Sequence, residues 1–188
     1  MIVLGISLTH DGTISIVENG IHKFSIAEER LNRKKAYIGF PFEGLRYIIN
    51  SKIISPNKVD VVAVSSSVFI KEWAFTFAFQ LTENKTYYDL QNDKKPKNFF
   101  IDDDDYLKIK TDEDCRLYVD KKIKKLLKAV GVHAPVEYVD HHLSHVASSY
   151  YSSGFNRALA VTMDGEGDLL SATINICEDG KIRKISET

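Results

Sequence analysis

The chain has no apolar run long enough to span a bilayer, no excess of either charge and only two cysteines. Its richest aromatic stretch, around Trp73 to Phe79, falls well short of the roughly 20 residues a transmembrane helix needs. The N-terminus, MIVLGISLTH, is apolar for only a few residues and carries no basic segment, so it does not read as a signal peptide. Charged residues make up 27% and sum to a net charge of −1, which leaves no electrostatic footprint for nucleic acid or a membrane surface. Cys115 and Cys177 lie far apart and form no metal or redox motif. They read as reduced thiols, as in a cytoplasmic protein. A length of 188 residues fits one domain, or two small lobes, and is enough to bury a real core.

What is present is concentrated. Three of the six histidines fall in the run Asp140-His141-His142-Leu143-Ser144-His145. On a helix, His141 and His145 stand at i and i+4 and project from one face. Two imidazoles that close can bite one metal ion, and a carboxylate from a neighbouring strand, Asp164, could add a third ligand. Spacing alone leaves the alternative open: i,i+4 histidines also arise by chance as ordinary polar residues near a helix start.

The organisation begins with β-structure. Ile2 to Leu8, Thr13 to Val17 and Ile21 to Ala27 read as strands, with Asn19-Gly20 as the strongest hairpin signal. The polar loop Thr9-His10-Asp11-Gly12 joins the first two. Arg33-Lys34-Lys35 is a basic run whose plain reading is a solvated loop. Pro41 opens a helix with Leu45, Ile48 and Ile49 inward. Val59 to Val64, VDVVAV, is apolar enough for a strand buried on both faces.

Residues 68–114 read as an insertion, with aromatics first and Asp102-Asp103-Asp104-Asp105 near its end. Those aspartates lack the alternation and glycine of an EF-hand and read as a solvated acidic loop. A helix is expected from Asp112 to Ala129, ended at Gly131. Pro135 to Val139 follows as a short strand, with Asp140 placed to N-cap the histidine helix. Ala158 to Met163 is a further strand, Asp164-Gly165-Glu166-Gly167-Asp168 the loop after it. Leu169 to Cys177 and Lys181 to Ile185 form a hairpin turned at Asp179-Gly180. A meander followed by alternating helices and strands predicts an α/β ribonuclease H-like half-fold with a mixed sheet.

Two stretches carry a family resemblance. MIVLGISLTHDGTISIVENGIHKFSIAEERLNRKK resembles the opening of the carbamoyltransferases of the nodulation-protein and antibiotic O-carbamoylation type: a strand, a His-Asp loop, a hairpin, then Ala-Glu-Glu-Arg with basic residues behind. VDHHLSHVASSYYSSGFNRALAVTMDGEGD resembles their second hallmark, paired histidines, a third three residues on, a small-residue helix and a strand ending in Asp-Gly-x-Gly. Together they cover about a third of the chain.

The resemblance implies a lobe of the actin, hexokinase and heat-shock ATPase superfamily, within a domain that binds carbamoyl-adenylate and a divalent metal (iron, zinc or manganese) and passes the carbamoyl group to an acceptor hydroxyl. A separate domain of such enzymes makes the carbamoyl-adenylate from carbamoyl phosphate and ATP. The resemblance implies His141, His145 and Asp164 as metal ligands and His10 as the catalytic loop histidine. It implies Asp11, Arg33, Lys34 and Lys35 on the substrate side.

In that family the second lobe supplies a fourth ligand, an aspartate. Residues 1–188 are therefore expected to be one lobe, part of a longer protein or a truncated product, inactive alone and prone to self-association through uncovered apolar surface. The acceptor is expected to be a small molecule such as a sugar, aminoglycoside, polyketide or nodulation factor, with no nucleic acid and no membrane involved. Two other readings stand beside this one. The first is a lobe of a tRNA threonylcarbamoyl-transferase, disfavoured by Ala-Glu-Glu-Arg. The second is a non-catalytic metal- or nucleotide-binding module. A sugar or acetate kinase would have no use for the histidine pair.

Overall fold

A computed structural model describes residues 1–8, 11–74, 76, 81 and 105–188. The chain divides into two compact units, Met1–Val64 with Phe69–Glu137, and Ser65–Val68 with Tyr138–Thr188.

In the first unit, strands β1 (Ile2–Ser7), β2 (Thr13–Glu18) and β3 (Ile21–Ala27) form an antiparallel meander. The alternation seen in the sequence becomes burial: Leu4, Ile6, Ile14 and Ile16 face inward. Asn19 and Gly20 both have positive φ, as the tight hairpin between β2 and β3 requires. With β4 (Val61–Ser65) and β5 (Val136–Val139) the sheet runs β3-β2-β1-β4-β5 and is mixed. This is the ribonuclease H-like α/β architecture expected. β4 does not bury both faces evenly: Val62 and Val64 are buried, while Val61 and Ala63 are half-buried.

Gly12, which closes the loop after β1, is pinned. Its N–H donates to the Tyr37 carbonyl at 3.0 Å and its carbonyl accepts from Glu28 N–H at 2.8 Å. A Cβ there would stand 2.4 Å from the Gly39 carbonyl oxygen, so only glycine fits.

A short helix unforeseen in the sequence, α1 (Glu28–Asn32), follows β3 directly. Helix α2 (Phe42–Asn50) has Pro41 at its N-cap and no cap of its own. Glu28 supplies one from a distance. Its Oε1 accepts from Glu43 N–H at 2.9 Å and its Oε2 from Gly44 N–H at 2.8 Å, on a side chain that is buried. Burial pushes the Glu28 carboxyl above the usual carboxylate range, although the two donors draw it part-way back.

Two outcomes are expected. Glu28→Gln keeps one acceptor and turns an amide NH₂ toward the other N–H. It should destabilise the protein by about 1–3 kcal/mol in urea unfolding at pH 7. Because the folded pKa is raised, the folded state binds the extra proton. The advantage of wild type over Glu28→Gln should therefore grow as pH falls through the raised pKa toward 4.5, and level off below it. A constant difference between pH 7 and pH 4 would contradict this.

Helix α3 (Asp112–Ala129) has the limits read from the sequence. It is closed at its start by a Thr111–Asp114 capping box, and Gly131 takes up a positive φ one residue beyond the Val130 C-cap. Cys115 on its inner face is buried, and burial first, then Asp112, pushes its thiol up to about 11, which leaves it inert. Of the four aspartates, Asp105 pairs with Lys121 at 2.6 Å. Asp102, Asp103 and Asp104 lie outside the described residues, as does most of the proposed insertion.

The second unit holds helix α4 (His141–Ser153) and the meander β6 (Arg157–Gly167), β7 (Leu170–Glu178) and β8 (Lys181–Glu187). Its second hairpin turns at Asp179-Gly180, both with positive φ, and so repeats the plan of β1 to β3. Val146 and Tyr150 of α4 pack on Cys177, Ala158, Ala160 and Ile182. Asp164 to Asp168 is not the loop expected. β6 runs on to Gly167, its pairing with β7 breaks between Met163 and Gly167, and the turn is made by Asp168 and Leu169 in left-handed backbone. The residues between form a bulge, which aims Asp164 off the regular ladder.

Candidate metal centre

Asp140 N-caps α4, its Oδ1 accepting from Leu143 N–H at 2.7 Å, which sets the first helical turn and with it the two histidines. His141 Nε2 and His145 Nε2 face one another at 3.0 Å. Asp164 Oδ2 stands 2.8 Å from His141 Nε2 and 3.4 Å from His145 Nε2. His141 is largely covered, at 14% side-chain exposure, whereas His145 is 53% exposed, so the group opens to solvent on the His145 side.

Three atoms bearing lone pairs thus converge. Hydrogen bonding satisfies such a triangle poorly, because two ring nitrogens aimed at each other share at most one proton between them. A divalent cation satisfies it well. Ligand atoms about 2.0–2.2 Å from a metal stand roughly 2.8–3.6 Å apart in tetrahedral or octahedral sites. The three separations here fall in that range, and two imidazoles with a carboxylate suit zinc, iron and manganese alike. The hydrogen bond with His141 holds the Asp164 carboxyl below its usual range, with help from Gly165 N–H and His145.

The other residues singled out from the sequence belong to the first unit. His10 lies outside the described residues. Asp11 has a left-handed backbone (φ 62°) and its carbonyl accepts from Thr13 Oγ1 at 2.6 Å. Arg33 is the C-cap of α1, also left-handed, with its N–H on the Glu29 carbonyl. Glu29 Oε2 in turn accepts from Ala36 N–H at 3.0 Å, which folds the basic run back on α1. Arg33 and Lys35, together with Glu29 and Arg30, line an open depression of about 390 Å³. Lys34 N–H bonds Asn32 Oδ1.

Around the triad, sequence reading misses Asp168; His142, about 100° round the helix from His141, is expected to pack or hydrogen-bond rather than to ligate the same ion. Asp168 is buried and accepts from Ser66, Ser67 and the His141 N–H. His142 is fully buried behind the triad, with Nδ1 on Thr162 Oγ1 at 2.8 Å and Nε2 on the Leu170 carbonyl at 3.0 Å. The only prior signal for Asp168 was the second aspartate of Asp-Gly-Glu-Gly-Asp.

A sequence profile of the carbamoyltransferase N-terminus family matches residues 2–187. The chain belongs to that family. Among curated relatives, an uncharacterized protein of Synechocystis is 29% identical over 178 residues, covering 92% of this chain and 26% of its own length. The nodulation protein NolNO of Sinorhizobium fredii is 22% identical over 177 residues, covering 94% of this chain and 22% of its own length. An uncharacterized protein of Methanocaldococcus jannaschii is 25% identical over 186 residues, covering 99% and 26% respectively. The chain therefore spans about a quarter of the length of these family relatives. Among solved structures, YeaZ from Pseudomonas aeruginosa aligns with the whole chain and 66% of its own, at 12% identity and a TM-score of 0.44.

Proposed function

We propose that the chain is the N-terminal part of an O-carbamoyltransferase, which moves a carbamoyl group from carbamoyl-adenylate to a hydroxyl of a small-molecule acceptor. The observation that carries this reading is the meeting of His141, His145 and Asp164 in a chain matched to the family from residue 2 to 187. In this reading those three side chains hold a divalent cation. When bound, such an ion supplies Lewis-acid polarisation of the carbamoyl carbonyl or orients the phosphate.

The protein's own groups do the rest. Arg33, Lys34 and Lys35 are assigned to the phosphate side as cations, and the open depression lined by Arg33 and Lys35 on the first unit supports the role of those two. Asp11 is assigned to substrate beside His10. In the transfer, the acceptor oxygen bonds the carbamoyl carbon, that carbon's bond to the adenylate phosphate oxygen breaks, and AMP leaves. The hydroxyl proton needs a base, and an imidazole suits the task near neutral pH, so His10 is assigned it. Formation of carbamoyl-adenylate from carbamoyl phosphate and ATP falls to the rest of the protein.

The test uses the whole protein with carbamoyl phosphate, ATP and a panel of hydroxyl acceptors. Pyrophosphate reports adenylate formation and the carbamate ester reports transfer. His10→Ala should slow transfer by about 10²–10⁴-fold and leave pyrophosphate release intact. Equal loss of both steps, or of neither, counts against the assignment. Residues 1–188 alone should give no turnover. A whole protein that releases no pyrophosphate in the presence of carbamoyl phosphate would sink the reading.

A further inference from the structure

The bulge and turn that end β6 touch His141 at three separate points. Asp164 meets the ring at Nε2. Gly167 lies flat against it: a Cβ on Gly167 would stand 2.1 Å from His141 Cδ2, 2.5 Å from Nε2 and 2.6 Å from Cγ, so any side chain would drive the ring away. Asp168 holds the backbone, its Oδ2 accepting from His141 N–H at 2.9 Å. The same carboxylate is anchored in turn. Oδ2 also accepts from Ser67 N–H at 2.9 Å and Ser67 Oγ at 3.0 Å, and Oδ1 from Ser66 Oγ at 2.9 Å.

Asp168 is 9% exposed and sits in left-handed backbone at φ 50°. Aspartate tolerates left-handed backbone better than most residues; what marks Asp168 is a buried carboxylate with both oxygens taken by donors. A helix start leaves four N–H groups without an intrahelical partner; Asp140 takes the one at Leu143 and Asp168 the one at His141. Asp168 does something further: it ties the N–H of the residue whose ring is the most covered member of the triad to the Ser66-Ser67 segment.

We infer that Gly167 and Asp168 are positioning residues which clamp His141, one by its ring and one by its backbone, so that its Nε2 stands ready beside Asp164 and His145. The inference rests on the metal-binding reading and goes beyond it, because neither residue is a ligand. A ligand already held in place need not be ordered when the ion arrives, and outer partners of this kind set metal affinity strongly.

The test uses the whole protein, freed of metal, titrated with Co²⁺ alone. Affinity comes from calorimetry and ligand geometry from the cobalt d–d absorption. Gly167→Ala and Asp168→Ala should each weaken Co²⁺ binding by about 10–100-fold and shift the absorption bands. Asp168→Asn keeps an oxygen that can accept from His141 and Ser67, with its amide toward Ser66. It should stay within several-fold of wild type.

Wild-type affinity and bands in Gly167→Ala and Asp168→Ala, with binding lost in His141→Ala, would overturn the clamp and leave the metal site standing. Equal loss in Asp168→Asn and Asp168→Ala would assign the effect to charge and also overturn the clamp. Wild-type binding by His141→Ala would instead remove the metal reading itself. Should Asp168→Ala fail to fold by circular dichroism, Gly167→Ala and Asp168→Asn decide.

Discussion

On the proposed metal-binding reading, alanine at His141, His145 or Asp164 should in each case abolish binding of a divalent ion. The loss should exceed the roughly 10–100-fold that removal of an outer partner costs, because a direct ligand goes. Metal content after dialysis against Zn²⁺ or Mn²⁺, and the affinity of the refilled protein, read this directly. His145→Ala is the sharpest of the three. Its side chain is half exposed and makes its contacts within the triad and to its own helix, so truncation should move the stability of the metal-free protein by no more than about 0.5 kcal/mol. Lost metal with the metal-free stability unchanged then points to ligation rather than to folding. Chelation should act in the same direction on the wild type. At free metal about 100-fold above the dissociation constant, bound ion contributes about 2.7 kcal/mol, so a chelator should lower Tm while leaving His145→Ala unmoved. Wild-type affinity in His145→Ala would show that the three side chains meet for another reason.

How much of this was legible in the sequence depends on the range of the interactions involved. The hairpins at Asn19-Gly20 and Asp179-Gly180, the Thr111 start of α3 and the Asp140 cap are set by neighbours within about four residues, and each stands where local chemistry puts it. The pairing of His141 with His145 is equally local. Asp164 was placed with them because a strand end is the natural source of a third ligand, and the bulge delivers it.

Asp168 was not legible. Its partners Ser66 and Ser67 lie 102 and 101 residues away, and nothing in Asp-Gly-Glu-Gly-Asp says which acid is buried. The same holds for Glu28. Within Ala-Glu-Glu-Arg it looks like one of two exposed acids, yet it caps a helix that begins 14 residues later. Strand β6 was cut short for a related reason. Glycines and acids read as a loop, but a bulged strand tolerates them where the ladder is already broken.

His142→Ala should be the most destabilising of the histidine changes, and yet it should leave the metal in place. The ring is 1% exposed and stands in a directed chain of hydrogen bonds. The Leu170 carbonyl can only accept, so His142 carries its proton on Nε2 and its Nδ1 accepts from Thr162 Oγ1. Thr162 Oγ1 then accepts from the Thr173 hydroxyl at 2.7 Å and from Thr173 N–H at 3.1 Å, and Thr173 Oγ1 accepts from Asn175 Nδ2 at 2.8 Å. Every buried side-chain polar atom among the described residues has a partner.

Such a chain fixes α4 to β6 and β7 in one register and so fixes the face on which His141 and His145 emerge. Alanine at 142 opens a cavity and strands two groups at once, for an expected cost of about 3–5 kcal/mol in urea unfolding. Thr162→Val removes, at nearly constant volume, the hydroxyl that joins His142 to Thr173 and should cost about 1–3 kcal/mol. Both variants, measured under conditions where they remain folded, should still bind one Co²⁺ per chain, whereas His141→Ala should bind none. The opposite pattern, with binding lost in His142→Ala and kept in His141→Ala, would mean that the helix presents the other histidine to the ion and that the triad is out of register by one residue.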